Sequence, residues 1–468
     1  MKKSGMAPSL SFDAGTLLLR GIEPEDAKAW LDSGVWRWDW RVGAWRADAM
    51  RLAETEQIFR AAGQPLKVEI PPPRNVSWPL IALPPPRPQQ EKAVTAWLAA
   101  GARGVIVMPT GTGKTEVALA VMARTWVATL VVAPTRDLMH QWHRRILRAM
   151  GYDAGILGDN TYNVRPVTVT TYDSAAIHMP KIGANFGLIV FDEAHHLPAG
   201  GYREAALMCT APRRLGLTAT PERPDGRHAD LDWLIGPRCH QCELADAADV
   251  LAPYETYRIP VKLTEPEQRQ HDWASAIVRN YVAAKRRDLP GYEWKDVLND
   301  ARADPEARRA QHAFYEKQSI EDRTREKLRV LEELFRRHHG ERVIVFTGTN
   351  AMALDVSTRF LLPTLLSHSR KNERRVVLEG FAAGRFPAIV ANQVLDEGVD
   401  VPEAKVAVVL GGLSSTRQAK QRLGRILRPT GDARAVLYEV VCETSGEEQR
   451  SRARRKSDAY ARTRHRRI

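Results

Sequence analysis

Asp192-Glu193-Ala194-His195, read together with Pro109-Thr110-Gly111-Thr112-Gly113-Lys114-Thr115, decides the fold of this chain. The glycine-rich stretch follows Gly104-Val105-Ile106-Val107-Met108, an apolar run of the buried-strand type. Backbone N–H groups around Gly111 and Gly113 can wrap a β-phosphate, and the N-terminus of the following helix adds positive potential. Lys114 is placed to neutralise β- and γ-phosphates, and the Thr115 hydroxyl to ligate Mg2+. Met108 stands where the longer form of this loop has its first glycine. Asp192 closes a second apolar strand, Leu188-Ile189-Val190-Phe191, 77 positions beyond Thr115. From there it can hold Mg2+ through water, while Glu193 polarises the attacking water and His195 passes nucleotide state to a neighbouring domain. Neither motif suffices alone; together, at this separation, they point to a nucleotide-driven motor.

Further motifs follow in the order such a motor requires. Thr218 and Thr220 flank Ala219 in Leu217-Thr218-Ala219-Thr220-Pro221, and small hydroxyl residues there can couple nucleotide state to an inter-domain contact. In Val394-Leu395-Asp396-Glu397-Gly398-Val399-Asp400-Val401-Pro402, Gly398 lets backbone approach phosphate and Asp400 can meet the ribose or the motor arginines. Gln421-Arg422-Leu423-Gly424-Arg425-Ile426-Leu427-Arg428 sets Arg425 and Arg428 three apart on one helix face. Such arginines reach a γ-phosphate only when a cleft closes, a contribution of about 10³–10⁵ in rate where an arginine finger acts. Candidates for gripping a nucleic-acid backbone are Thr135, Arg136, Thr170, Thr171, Thr347, Gly348 and Asn392.

The organisation agrees with an α/β motor. Of 468 residues, 44% are hydrophobic, enough for two to four domains. Lys and Arg number 69 against 56 acids, a net charge of +13 that favours a polyanionic partner. Residues 1–75 form a small unit with a strand at Thr16–Arg20, a helix beginning near Pro24 and another over Asp48–Ala61. Pro71–Pro73 and Pro84–Pro86 bracket a stiff linker, 76–87, that marks a domain boundary and allows several poses of the small unit. Across 88–252 apolar strands alternate with amphipathic helices, which argues for a parallel sheet covered on both faces. The alternation returns within 253–442, after a charged helical insertion over about 264–325, and 443–468 is a basic tail. Cys239 and Cys242 form a lone CxxC, with no second pair to complete a zinc site. No run approaches 18 apolar residues and no apolar leader is visible, so a soluble, cytoplasmic protein without a membrane partner is expected.

At this point the chain resembles the superfamily 2 helicases, and is most similar to the XPB (Rad25) DNA repair helicases. The order Arg87-Pro88…Gln90, the phosphate loop, Ala133-Pro134-Thr135, Asp192–Pro198, Gly216–Pro221, Val394–Pro402, Gln421–Pro429 and Leu437-Tyr438-Glu439 carries the resemblance over roughly residues 10–460. It implies two RecA-like parallel-sheet motor domains in tandem, a small N-terminal α+β damage-recognition-like domain and a thumb-like helical insertion. It implies ATP and Mg2+ as cofactors, nucleotide contacts at Arg87 and Gln90, and 3′–5′ movement on single-stranded, forked or damaged DNA. A Bax1-type nuclease is implied as partner to a monomeric motor. Asp39-Trp40-Arg41…Arg46-Ala47 matches the D-x-R-x-x-x-x-R-A core of the damage-recognition domain, and five of twelve tryptophans lie between Trp30 and Trp45. Trp38 and Trp40 can stack on bases beside phosphate-holding arginines, and Trp36, Trp38 and Trp40 alternate as one aromatic strand face. One departure is plain: where the family has Arg-Glu-Asp after Thr-Ala-Thr, this chain has Arg223-Pro224-Asp225, which puts efficient unwinding in doubt but not translocation. An RNA helicase and a fork- or junction-remodelling motor are the competing enzymes, and a non-hydrolysing clamp is the competing binding protein.

Overall fold

The computed structural model describes residues 7–23, 31–32, 34–223, 225–242, 254–366, 368–392, 404–411, 435–443 and 446–448. The chain divides into two compact units between Glu243 and Leu244.

In the first unit, strands β1 (Ser9–Asp13), β2 (Thr16–Arg20), β3 (Arg37–Asp39), β4 (Ala44–Asp48) and β5 (Lys67–Val68) form a sheet of order β3-β4-β2-β1-β5. Its buried face carries Leu10, Leu17, Leu19, Trp36 and Ala47, closed by Phe59 from helix Leu52–Ala61. The tryptophan alternation does not make one aromatic face. Trp36 is buried, Trp38 is half-buried, and Trp40 is 83% exposed in the turn beyond β3. The strand ends at Asp39 because that carboxylate is held in place by Arg41 and Arg46. The helix expected near Pro24 falls largely outside the described residues.

The second sheet runs through β6 (Arg103–Val107), β7 (Thr129–Ala133), β8 (Gly155–Gly158), β9 (Thr161–Tyr162), β10 (Val167–Thr171), β11 (Leu188–Asp192), β12 (Arg213–Thr218) and β13 (Arg238–Gln241). Its order is β13-β6-β12-β11-β7-β10-β8-β9, parallel throughout except for the β8–β9 hairpin. Every residue of β7, β10 and β11 is buried, as a sheet covered on both faces requires.

The proline-rich stretch joins the small sheet to the larger one within the first compact unit. It runs as irregular chain past the C-terminal ends of helices Lys114–Thr125 and Arg136–Met150, and bonds there: Val76 N donates to Trp126 O, Ala128 N to Arg74 O, and Ala82 N to Ala149 O. Val76 and Trp78 are buried. Prolines remove donors but leave the intervening amides free to bond, so the segment docks rather than swings. The small sheet also sits against this unit: the Gly15 turn lies over the Met208 side chain, and Ala184 packs into the small core. That fixes a pose the prolines alone leave open.

The second unit holds β14 (Tyr254–Val261), β15 (Val343–Thr347), β16 (Thr364–Leu365), β17 (Ala388–Asn392), β18 (Val406–Val409) and β19 (Ala435–Cys442) in the parallel order β14-β19-β18-β15-β17-β16. Val343, Val345, Val390, Val408 and Val440 centre its core, with Leu331 and Leu334 covering it from helix Arg325–Arg337. Between β14 and β15 the charged insertion is helical: Glu265–Asp288, Trp294–Asp300 and Pro305–Arg323, the first and third packed on each other. A buried Lys327–Glu447 pair, 2.8 Å, fastens the next helix to the turn after β19. Among the described residues no helix is long and apolar enough to cross a membrane.

Candidate ATP and nucleic-acid sites

Register alone brings the key residues to one edge of the second sheet. Asp192 pairs with Leu217, and Thr218 pairs with Val107, so β11, β12 and β6 end side by side. Open α/β sheets bind ligands beyond such carboxyl ends.

The phosphate loop leaves β6 at the buried Met108 and enters helix Lys114–Thr125. Gly111 and Gly113 both have φ +89°, a left-handed backbone that side chains rarely adopt. A Cβ on Gly113 would overlap the Gln90 amide. Gln90 accepts from Arg87 N at 2.9 Å and donates to Thr112 O at 3.0 Å, so its side chain braces the loop from behind. Thr112 Oγ1 donates back to Pro109 O at 2.7 Å, and Lys114 Nζ rests on Met108 O at 3.3 Å. The Arg87 side chain is exposed. Thr110 Oγ1 is buried with no hydrogen-bond partner. A glycine-lined turn, an unspent hydroxyl and a lysine resting on a carbonyl fit a polyphosphate, with Thr115 on the same helix end.

Asp192 is buried at the end of β11. Trp142 Nε1 donates to its Oδ2 at 2.8 Å, Glu193 N to its Oδ1 at 3.0 Å, and Tyr172 OH to its main-chain O at 3.0 Å. Burial, then the neighbouring Glu193 charge, push the Asp192 carboxyl up to about 6. Both push toward a group that gains from a cation, so the donor set fits Mg2+. Glu193 has φ +47°, outside the region a glutamate prefers, at a cost of about 1–2 kcal/mol. Its carboxylate Oε2 is buried without a hydrogen bond, 3.5 Å from His195 Nδ1. Unspent acceptor capacity at this point suits a water-activating base.

His195 is fully buried, and its Nδ1 meets Thr218 Oγ1 at 3.0 Å. Thr218 Oγ1 also reaches Thr220 O at 3.1 Å and accepts from Thr220 N at 3.2 Å, so the two motifs form one network. Arg223 extends it: Nη1 donates to His195 O at 2.7 Å while Nε and Nη2 clasp Asp225 at 2.9 and 2.6 Å. Arg223 beside Asp225 holds that carboxyl far below the usual range. These two side chains therefore serve each other and the Asp-Glu-Ala-His turn.

The candidates for the nucleic-acid grip divide. Thr135 caps helix Arg136–Met150 by accepting from Leu138 N, and Arg136 is exposed beside Asp159, 3.3 Å away. Thr171 caps helix Tyr172–Ile182. Thr170 is fully buried with its hydroxyl on Leu157 O, and Thr347 is fully buried with its hydroxyl toward Thr349 O, so neither side chain faces a phosphate. They are strand residues of doubly covered sheets, which short polar runs do not reveal. Gly348 is half-buried beside Thr347, and Asn392 Nδ2 donates to Asn350 Oδ1 at 2.8 Å. Trp38 stands edge-on to Trp40 and Trp45, at 5.9 and 5.3 Å between ring centres. Gly398, Asp400, Gln421, Arg425 and Arg428 lie outside the described residues. Cys239 is packed against Gly104 and donates to Val105 O, and burial pushes its thiol up to about 11. Trp142 and Tyr172 were not legible as site residues; Trp142 shares its helix face with the buried Met139, Ile146 and Met150.

Three family profiles match. Residues 83–223 match the type III restriction enzyme res subunit, 326–430 the helicase conserved C-terminal domain, and 10–67 the xeroderma pigmentosum group B helicase damage recognition domain. The helicase domain of Pyrococcus furiosus Hef shares the fold at 18% identity, with a TM-score of 0.52 over 79% of this chain and 98% of that one. Saccharomyces cerevisiae Dbp5, bound to RNA and ADP BeF3, does so at 16%, with 0.55 over 82% and 90%. Fold and site thus define a superfamily 2 motor of the helicase type. The DNA 3′-5′ translocase XPB2 of Sulfurisphaera tokodaii is 40% identical over 371 residues, 79% of this chain and 84% of that protein. The DNA 3′-5′ helicase XPB of Mycobacterium tuberculosis is 30% identical over 74% of this chain but only 59% of its own length. The chain belongs to the XPB family.

Proposed function

We propose that this protein is an ATP-driven 3′–5′ translocase on DNA that serves repair. The observation that carries the reading is the single sheet edge where Lys114, Asp192, Glu193 and the His195–Thr218 pair converge. The small domain that matches the damage-recognition profile, packed within the same compact unit, supports the repair role.

The chemistry follows from the residues. The Gly111–Gly113 turn and the helix end wrap the β-phosphate, and Lys114 leaves Met108 O for the β/γ oxygens. Thr115, and Asp192 through water, would hold Mg2+, which would supply charge neutralisation to the phosphates. Glu193 accepts a hydrogen bond from the attacking water and orients it in line with the γ-phosphate. When the phosphate leaves, Glu193 changes partners, and His195 transmits that change to Thr218, Thr220 and Arg223. The reading gives Gln421, Arg425 and Arg428 the second unit's share of γ-phosphate recognition, Gly398 and Asp400 a nucleotide contact, and Arg136 and Trp40 contacts to DNA. A Bax1-type nuclease partner, a monomeric motor and a cytoplasmic setting belong to the same reading.

Translocation is favoured over efficient strand opening because Arg223 is committed to Asp225 and to the His195 carbonyl. Triplex displacement on duplexes with a 3′ or a 5′ tail tests the proposal. The expected result is ATP-dependent displacement from the 3′-tailed substrate with weak unwinding of a forked duplex. Displacement from the 5′ tail alone, or none with DNA and movement on RNA, would overturn it.

A further inference from the structure

Asp192 must present a carboxylate to Mg2+ from a buried position, and a buried carboxylate free to rotate presents it in many orientations. Its surroundings remove that freedom. One oxygen accepts from Trp142 Nε1 at 2.8 Å and the other from Glu193 N at 3.0 Å. Two donors on opposite oxygens set the plane of the group and leave its remaining lone pairs for metal-bound water. Trp142 is itself 2% exposed, on the buried face of helix Arg136–Met150 with Met139, Ile146 and Met150. A phenylalanine or leucine would keep that face apolar; only the indole adds a donor. The donor type also matters. Indole N–H carries no charge and cannot accept, so it fixes the carboxylate without competing with the cation for it, as an ammonium or guanidinium would.

We infer that Trp142 is a positioning residue for Mg2+ binding: its indole N–H fixes the Asp192 carboxylate in the orientation the metal requires. The inference rests on the reading of Asp192 as the Mg2+-holding carboxylate. Outer-shell partners of this kind are worth about 10–100-fold in metal affinity or activity.

The test measures binding of a fluorescent ADP analogue with Mg2+ and with EDTA, for wild type, Trp142→Phe and Asp192→Asn. A second form with benzothienylalanine at 142 keeps the shape of the side chain and lacks the donor. In Trp142→Phe and the benzothienyl form, the gain in affinity conferred by Mg2+ shrinks about tenfold, affinity in EDTA is unchanged, and the melting temperature of the benzothienyl form stays at the wild-type value. ATP turnover falls in kcat and recovers partly as Mg2+ is raised. An unchanged Mg2+ gain in the benzothienyl form, or equal losses with and without Mg2+, would overturn the inference. If Asp192→Asn keeps the full Mg2+ gain, the metal reading of Asp192 falls first; if it loses the gain while both position-142 forms keep it, only the role of Trp142 falls.

Discussion

Gly113 answers two demands at once, and a side chain at its position would fail the second outright. Its φ of +89° costs an L side chain about 1–2 kcal/mol, and the space where a Cβ would lie is taken by the Gln90 amide. Gly101 shares the first demand, at φ +74°, but has open space around it. Gly113→Ala is therefore expected to lower ATP turnover by at least about 100-fold, each 1.4 kcal/mol of lost loop geometry being tenfold, while Gly101→Ala lowers thermal stability and leaves turnover near wild type. Comparable turnover in the two variants would show that the loop tolerates displacement of Gln90. The two glycines are indistinguishable in sequence except by their neighbours. Lys114, Asp192 and Glu193 were legible because each follows an apolar strand. Trp142 was not, because an indole spent on a carboxylate looks the same as one spent on the core.

At the scale of elements, β12 is pinned by a buried arginine rather than by apolar contact alone. Arg214 is fully buried, and its guanidinium donates to Ala206 O, Cys209 O, Ala211 O and Leu234 O. Its own carbonyl accepts from Trp97 Nε1 at 2.9 Å. Desolvation lowers its pKa to about 10, still charged at neutral pH. Arg214→Met keeps the bulk and strands four carbonyls, at an expected cost on the order of 3 kcal/mol or more, read as a lower urea midpoint for the first unit. A loss under about 1 kcal/mol would mean that water replaces the guanidinium. Strands were the readable part of this fold: Leu188–Asp192 and Thr16–Arg20 emerge with their expected limits because apolar runs bounded by polar turns define them. The tryptophan alternation misled because Asp39, held by two arginines, ends its strand early. The docking of the proline stretch was not legible, because its non-proline amides bond to the ends of two helices, a tertiary choice that local composition does not encode.

For the whole molecule, a net charge of +13 and a sheet edge carrying the hydrolytic residues must act together for ATP to drive movement on DNA. The described residues place that edge in one unit, and the family profiles extend helicase character across the other, over 326–430. Coupling is the central claim: turnover without DNA should be slow, because His195 is tied to Thr218 and Arg223 in one hydrogen-bonded network that movement on DNA must reset. The most direct measurement is ATP turnover with no nucleic acid, single-stranded DNA, forked DNA and RNA, beside Lys114→Ala and Glu193→Gln. The account predicts stimulation of at least about tenfold by DNA, less by RNA, and loss in both variants by about 10²–10³ or more, as when a group acting in the transition state is removed. Turnover unchanged by Glu193→Gln, or stimulated by RNA and not by DNA, would contradict it.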